Sequence, residues 1–151
     1  MKLSTRGRYG TRALLDLALH RGEGIVPLKD IARRQDISLS YLEHLVAPLI
    51  AAGIIKSTRG PQGGISLLKH PQYIRLSEVV QLLEGSLAPA KCVDNPKSYP
   101  RSDFCATHDI WSEVEKAINK VLGSITLQDL VKRQARKEAT ARSKFREAEC
   151  R

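Results

Sequence analysis

Aromatic side chains are scarce here, 5% of 151 residues, so any core must be filled mainly by aliphatic groups. Cysteine is scarcer still. Three cysteines make no disulfide framework, and in a reducing compartment they read better as thiol or metal-ligating groups. No stretch approaches the ~18 uninterrupted apolar residues of a membrane span. The opening MKLSTRGRYG also lacks the apolar segment of a secretory signal, so a cytoplasmic protein without a membrane partner is expected. Paired carboxylates, a phosphate-cradling loop and a nucleophile with its base are likewise missing. The glycines at 60 to 64 follow neither the P-loop nor the dinucleotide-binding spacing, so an enzyme is not expected.

What is present suits one compact domain with an extension: 42% hydrophobic and 27% charged residues, with a net charge of +9. That charge is uneven. Residues 1–70 carry eleven bases and five acids, residues 71–131 six and eight, and residues 132–151 eight and three. The first segment and the tail are therefore the candidates for a polyanion partner. Charge by itself would equally suit an anionic membrane or simple solubility.

Hydrophobic periodicity organises the first half. Tyr9, Ala13, Leu14, Leu17 and Ala18 recur at helical spacing, with Ser4 or Thr5 as cap. Gly22, Gly24 and Pro27 break the pattern before a short helix, Leu28 to Gln35. Asp36, Ile37 and Ser38 make a tight connection to a third helix through Tyr41, Leu42, Leu45, Val46, Leu49 and Ile50, capped by Ser38 or Ser40. Pro48 is expected to bend it or end its regular portion. Two helices joined by so short a turn form the helix-turn-helix pattern, whose second helix enters the major groove. Ile54 to Ser57, a glycine-rich turn from Thr58 to Gly64, and Ile65 to Leu67 then read as a hairpin wing.

The fold expected is therefore mainly α with a small β wing: a winged helix-turn-helix domain over residues 1–84. The residues placed to read double-stranded DNA are Ser38, Leu39, Ser40, Tyr41, Glu43 and His44 at the start of the third helix. Arg59, Gly60, Gln62 and Gly63 at the wing tip join them. Hydroxyls can bond phosphate or base, Leu39 can meet a thymine methyl, and Glu43 can accept from a cytosine amino group. Arg59 between flexible glycines suits a narrow minor groove.

A fourth helix follows through Leu76, Val79, Val80, Leu82 and Leu83, capped at Ser77 and closed by Gly85. Residues 85–108 are expected to form a sensor loop, without periodicity from Ser86 to Asp103. They hold Cys92, Cys105 and His108, the donor types of a zinc or iron-sulfur site. Over 109–131, Ile110, Trp111, Val114, Ala117, Ile118, Val121, Leu122 and Ile125 form one long apolar stripe. A stripe this long after a completed domain suits a homodimer that pairs half-sites on DNA. Thr126 to Val131 reads as a short helix, and residues 132–151 as a charged tail, frayed helix or disorder, with Cys150 a bystander.

LSTRGRYGTRALLDLA, AAGIIKSTRGPQGGISL and CATHDIWSEVEKAINKVLGSITLQDLV together resemble the IscR-type regulators, the Rrf-two family of winged-helix transcription factors. The resemblance covers about residues 1 to 131. It implies a homodimer on promoter DNA, and in many members a two-iron two-sulfur cluster held by three loop cysteines and often a histidine after the third. Cys92, Cys105 and His108 match the first cysteine, the third and the histidine. Tyr99 stands where the family usually has the middle cysteine. The resemblance thus implies a regulator controlled by such a cluster in response to redox or iron-sulfur status, with a substitute ligand such as Asp94, Ser98 or Asp103 in place of the missing cysteine. A cluster-free regulator that senses a metabolite or partner is left open, as is a docking module that binds no DNA.

Overall fold

A computed structural model describes residues 2–149. Its organising element is α1, Thr5–Leu19, which buries Ala13, Leu14, Leu17 and Ala18. Ser4 caps it, its Oγ accepting from the Arg6 N–H at 3.1 Å. The carboxylate of Glu84 completes the cap by accepting from the backbone N–H of Ser4 at 3.0 Å and of Gly7 at 2.9 Å. Glu84 is the last residue of α4, Leu76–Glu84. Gly7 and Gly10 allow this approach, because a Cβ on either would run into Glu84 or Leu83.

Helix α2, Leu28–Gln35, ends in Asp36, a left-handed residue at φ 53°. Ile37 is buried behind it, and Ser38 caps α3, Leu39–Ala51, by accepting from the Tyr41 N–H at 3.3 Å. Pro48 does not end α3. It lies in the last turn and the helix runs three residues past it, giving up the one bond that an N–H at position 48 would have donated to the His44 carbonyl. The strands β1, Ile55–Thr58, and β2, Gly64–Leu67, pair antiparallel with Ile55 opposite Leu67 and Thr58 opposite Gly64. Ile55 and Ile65 are buried, and Val26 bridges Ile65 through reciprocal N–H···O bonds of 2.9 Å, so the hairpin is rooted in the core. Ser77 is not the cap of α4; it falls in the first turn, and Arg75 holds the cap position without a side-chain capping bond, its guanidinium donating instead to the Gly123 carbonyl at 2.8 Å.

Between α4 and the long helix lie α5, Lys91–Asp94, and two single turns, Pro96–Ser98 and Ser102–Phe104. The buried Ser102 hydroxyl staples the two turns by donating to the Tyr99 carbonyl at 2.8 Å and the Pro96 carbonyl at 3.0 Å. Helix α6, Ala106–Ser124, starts three residues ahead of the expected boundary, with Cys105 at its cap position and His108 in its first turn.

The largest departure from the sequence reading is at the end. Instead of a short helix and a charged, frayed or disordered tail, α7 runs unbroken from Leu127 to Glu149. Thr126 and Asp129 start it with reciprocal bonds, Thr126 N–H to Asp129 Oδ2 at 2.9 Å and Asp129 N–H to Thr126 Oγ1 at 3.2 Å. Leu127 is fully buried and its N–H donates to the Ile74 carbonyl at 2.8 Å, which folds α7 back onto α1. Cys150 lies outside the described residues. Among those residues, no helix is long and apolar enough to cross a membrane.

Candidate nucleic-acid interface

The start of α3 is exposed where a reading helix needs to be. Ser38, Ser40, Glu43 and His44 face solvent, and so does Leu39, 44% exposed although it is a large aliphatic residue. The opposite face of the helix, Leu42, Leu45, Val46 and Leu49, is buried. A helix anchored by four apolar side chains holds its outward groups in a fixed orientation, which base-edge recognition requires.

Tyr41 differs from its neighbours. Its ring is half-buried and meets the Tyr9 ring edge-on, with centroids 6.3 Å apart. The guanidinium of Arg12 lies 5.3 Å from the Tyr9 ring centre and that of Arg8 5.8 Å. The structure thus adds Tyr9, Arg8 and Arg12 to the expected set. Periodicity assigned Tyr9 to a buried face, and nothing local in sequence pairs positions 9 and 41. Arg12 has a second task, since its Nη2 donates to the Gln35 carbonyl at 2.8 Å and closes the C-terminus of α2.

Beneath these groups lies an ion pair that locks α1 to α2. Asp16, 3% exposed, accepts from Arg34 Nη2 at 2.6 Å and Nε at 3.0 Å, and from Gln35 Nε2 at 2.8 Å. The hydrogen bonds to Asp16 hold the guanidinium of Arg34 firmly charged.

At the wing tip, Arg59, Gly60 and Gln62 are exposed and Gly63 is half-buried. Gly60 adopts φ 112°, open only to glycine, and its carbonyl accepts from the Gly63 N–H at 2.9 Å. A Cβ on Gly63 would collide with the carbonyls of Thr58 and Gly60. The two glycines therefore set the tight tip from which Arg59 extends.

The loop donors are arranged otherwise. Cys92, in α5, and Cys105 are half-buried free thiols. The Thr107 hydroxyl, 3.0 Å from Sγ, and the backbone N–H of His108 hold the Cys105 thiol below its ordinary range. The Nε2 of His108 is buried with no hydrogen-bond partner among the described residues. An iron-sulfur cluster needs four converging protein donors. Among the described residues, no three His, Cys, Asp or Glu side chains are gathered to hold a metal ion, and Tyr99 is 45% exposed. The loop as arranged does not fit a cluster: its donor types are right, but they are neither converged nor sufficient.

Comparison with known proteins gives this geometry its context. The Rrf2 family, described as iron-dependent transcriptional regulators, matches residues 3–133. The chain belongs to the Rrf2 family. It is 46% identical over 132 residues to the protein rrf2 of Nitratidesulfovibrio vulgaris, covering 87% of this chain and 88% of that one. Among solved structures it is similar to IscR of T. potens, with a TM-score of 0.73 at 44% identity, covering 89% of this chain and 88% of that one. It is similar also to CymR, the global cysteine regulator of B. subtilis, with a TM-score of 0.73 at 37% identity, covering 87% of this chain and 97% of that one. As an Rrf2 regulator with a mostly helical fold and a two-stranded wing, the chain is a DNA-binding transcription regulator, and the proteins it resembles are regulators rather than enzymes.

Proposed function

We propose that the chain binds specific promoter duplexes as a homodimer, with the start of α3 in the major groove and the Arg59 wing tip in the adjoining minor groove. One observation carries this reading. The exposed groups from Ser38 to His44 and the wing both stand on fully buried anchors, Leu42 and Leu45 beneath the helix and Ile55 and Ile65 beneath the hairpin. The two are thus held as one rigid surface.

The dimer is supported by α6, which buries none of its residues in the single chain. Ile110 is 53% exposed, Trp111 43% and Val121 56%, and beside them runs a groove of about 380 Å³ lined by Leu3, Leu87, Ile118 and Leu122. A second copy of the same helix covers such a stripe with two-fold symmetry.

Selection from random duplexes tests the reading. It should enrich a site with two-fold symmetry, its half-sites about one helical turn apart. Binding should weaken linearly in log salt while keeping its preference over competitor DNA. Absence of any enriched site would leave a docking module instead.

The signal that controls binding is the finer part of the proposal, and residues 85–108 are its candidate receiver. Control by a two-iron two-sulfur cluster on Cys92, Cys105 and His108 is favoured by the unpartnered Nε2 of His108. It is opposed by the ungathered donors and by Tyr99. Anaerobic reconstitution with iron and sulfide decides between them. Charge-transfer bands that vanish in Cys105→Ser support the cluster, and colourless protein supports a cluster-free regulator of the same fold.

A further inference from the structure

Helix α7 is longer than its packing requires. Leu127 is buried and Leu130, Val131 and Gln134 are half-buried against α1, while Lys132, Arg133, Arg136 and Lys137 are exposed on the other side. Beyond Gln134 the sequence offers no apolar stripe. From Lys132 to Glu149 there are seven bases and three acids, and most of the segment lies past residue 133, where the family match ends.

A solvated helix that serves only solubility intersperses its signs, because opposite charges four residues apart stabilise it and like charges oppose it by similar amounts. Here Lys132 and Arg136, Arg133 and Lys137, and Arg142 and Arg146 place like charges at that spacing, against two opposed pairs, Asp129 with Arg133 and Glu138 with Arg142, of which only the second lies in the C-terminal half. Among the described residues, none of these bases is held in a salt bridge. The helix therefore carries a field that its own carboxylates do not neutralise.

Its direction is informative. Gln128 and Val131 line a cavity with Ala18 and Arg21, at the C-terminal end of α1. Gln134 and Glu138 line another of about 460 Å³ with Arg12, Arg34 and Gln35. The helix thus runs antiparallel to α1 and over the end of α2, toward the half of α1 where Tyr9 meets Tyr41 of the recognition helix. At 1.5 Å per residue, the stretch from Glu138 to Arg146 continues for about 12 Å beyond that crossing.

We infer that the C-terminal half of α7 is a second DNA contact, a basic arm that takes backbone phosphates of the duplex held by α3 and the wing. This rests on the DNA-binding reading proposed above and extends it: the reading head selects the site, and the arm adds affinity without regard to sequence.

The test keeps the full chain and replaces Arg136, Lys137, Arg142 and Arg146 with glutamine, a residue of similar helix propensity, with helicity checked by circular dichroism. Dissociation constants are measured across salt for the selected site and for a scrambled duplex. Removing one phosphate-neutralising base lowers the slope of log K against log salt by about 0.9. The expected result is a slope reduced by at least ~2, affinity roughly tenfold or more weaker on both duplexes, and an unchanged ratio between them. A variant with Lys in place of Arg136, Arg142 and Arg146 should keep the parent slope.

An unchanged slope in the glutamine variant, with the parent still binding its site, overturns the arm and leaves the reading head standing. So does a changed preference between the duplexes, or a weakening confined to vesicles of anionic phospholipid with the DNA slope intact. If the parent binds no duplex at all, the DNA-binding reading fails first and the arm with it.

Discussion

The reading head and the cysteine loop sit on the same chain but are built on opposite principles. From Leu28 to Leu67 the outward faces of α3 and the wing are rooted in buried residues, Leu42 and Leu45 under the helix and Ile55 and Ile65 at the base of the hairpin, and the connections are closed by named bonds: Ser38 to the Tyr41 N–H, Arg12 to the Gln35 carbonyl, Gly63 N–H to the Gly60 carbonyl. From Lys91 to Cys105 the only buried residue is Ser102, Phe104 stands 92% exposed, and the candidate donors do not converge. The core therefore fixes in advance the surface proposed to face DNA. The loop is left for something else to order, be it a ligand, a metal group or the second subunit, and a segment with so little buried surface belongs to the low-stability end of a structure.

The strongest way to break this contrast is at Asp16. Asp16→Ala removes the buried carboxylate that accepts from Arg34 and Gln35, and with it the polar tie between α1 and α2. Loss of these charge-assisted hydrogen bonds costs about 3 kcal/mol, which for a chain of this size lowers the melting temperature by roughly 10 °C. Thermal melting followed by circular dichroism checks it. A drop of only one or two degrees would mean that α1 and α2 are held together by their apolar faces alone.

Arg59→Ala should weaken binding to the selected duplex by about 1–3 kcal/mol, or roughly 5- to 150-fold, and leave the melting temperature where it was. Competition binding against a duplex altered only at the wing contact separates this from general charge loss. If both duplexes weaken equally, Arg59 is a phosphate contact rather than a groove reader.

Much of this contrast was legible in the sequence because the head is written in local rules. Its helices show a 3.6-residue period, its turn residues stand at fixed offsets, and its glycines mark the wing. What stayed hidden depends on tertiary placement. Asp16 looks like an ordinary surface carboxylate until Arg34 and Gln35 enclose it, and Tyr9 reads as core until Tyr41 and two arginines surround it. The helix beyond Val131 escaped for another reason. It has no apolar stripe, but it is rich in Ala, Arg, Lys and Glu, so intrinsic propensity sustains it where periodicity gives no signal. For the loop, the family resemblance singled out Cys92, Cys105 and His108, but their separation in space is tertiary and no spacing rule encodes it.

A smaller effect sharpens the geometry of the head. Asp36 holds φ 53° between α2 and the cap of α3, a conformation that Asp tolerates and a β-branched residue does not. Asp36→Val should cost about 1–2 kcal/mol, whereas Asp36→Gly should fall within about 0.5 kcal/mol of the parent, because relief of strain is offset by greater freedom in the unfolded chain. Urea melts of the two variants measure the difference directly. Equal costs would show that the side chain, rather than the backbone, matters at this turn.

The smallest expected change is at His108, and it bears on the loop. Its side chain is 17% exposed, with Nε2 buried and unpartnered among the described residues, so the fold bears a desolvation cost that nothing there repays. An unsatisfied buried group costs about 1–3 kcal/mol, and loss of the ring's packing is of similar size and opposite sign. His108→Ala in metal-free protein should therefore melt within about 1 kcal/mol of the parent. If the loop receives a metal group or another ligand through that nitrogen, the two proteins part only when it is supplied: the parent gains stability by binding and the alanine variant does not. A variant much less stable than the parent without any ligand would mean that the imidazole is a structural support of α6, and the proposed division between a finished reading head and an unfinished loop would fail at its second half.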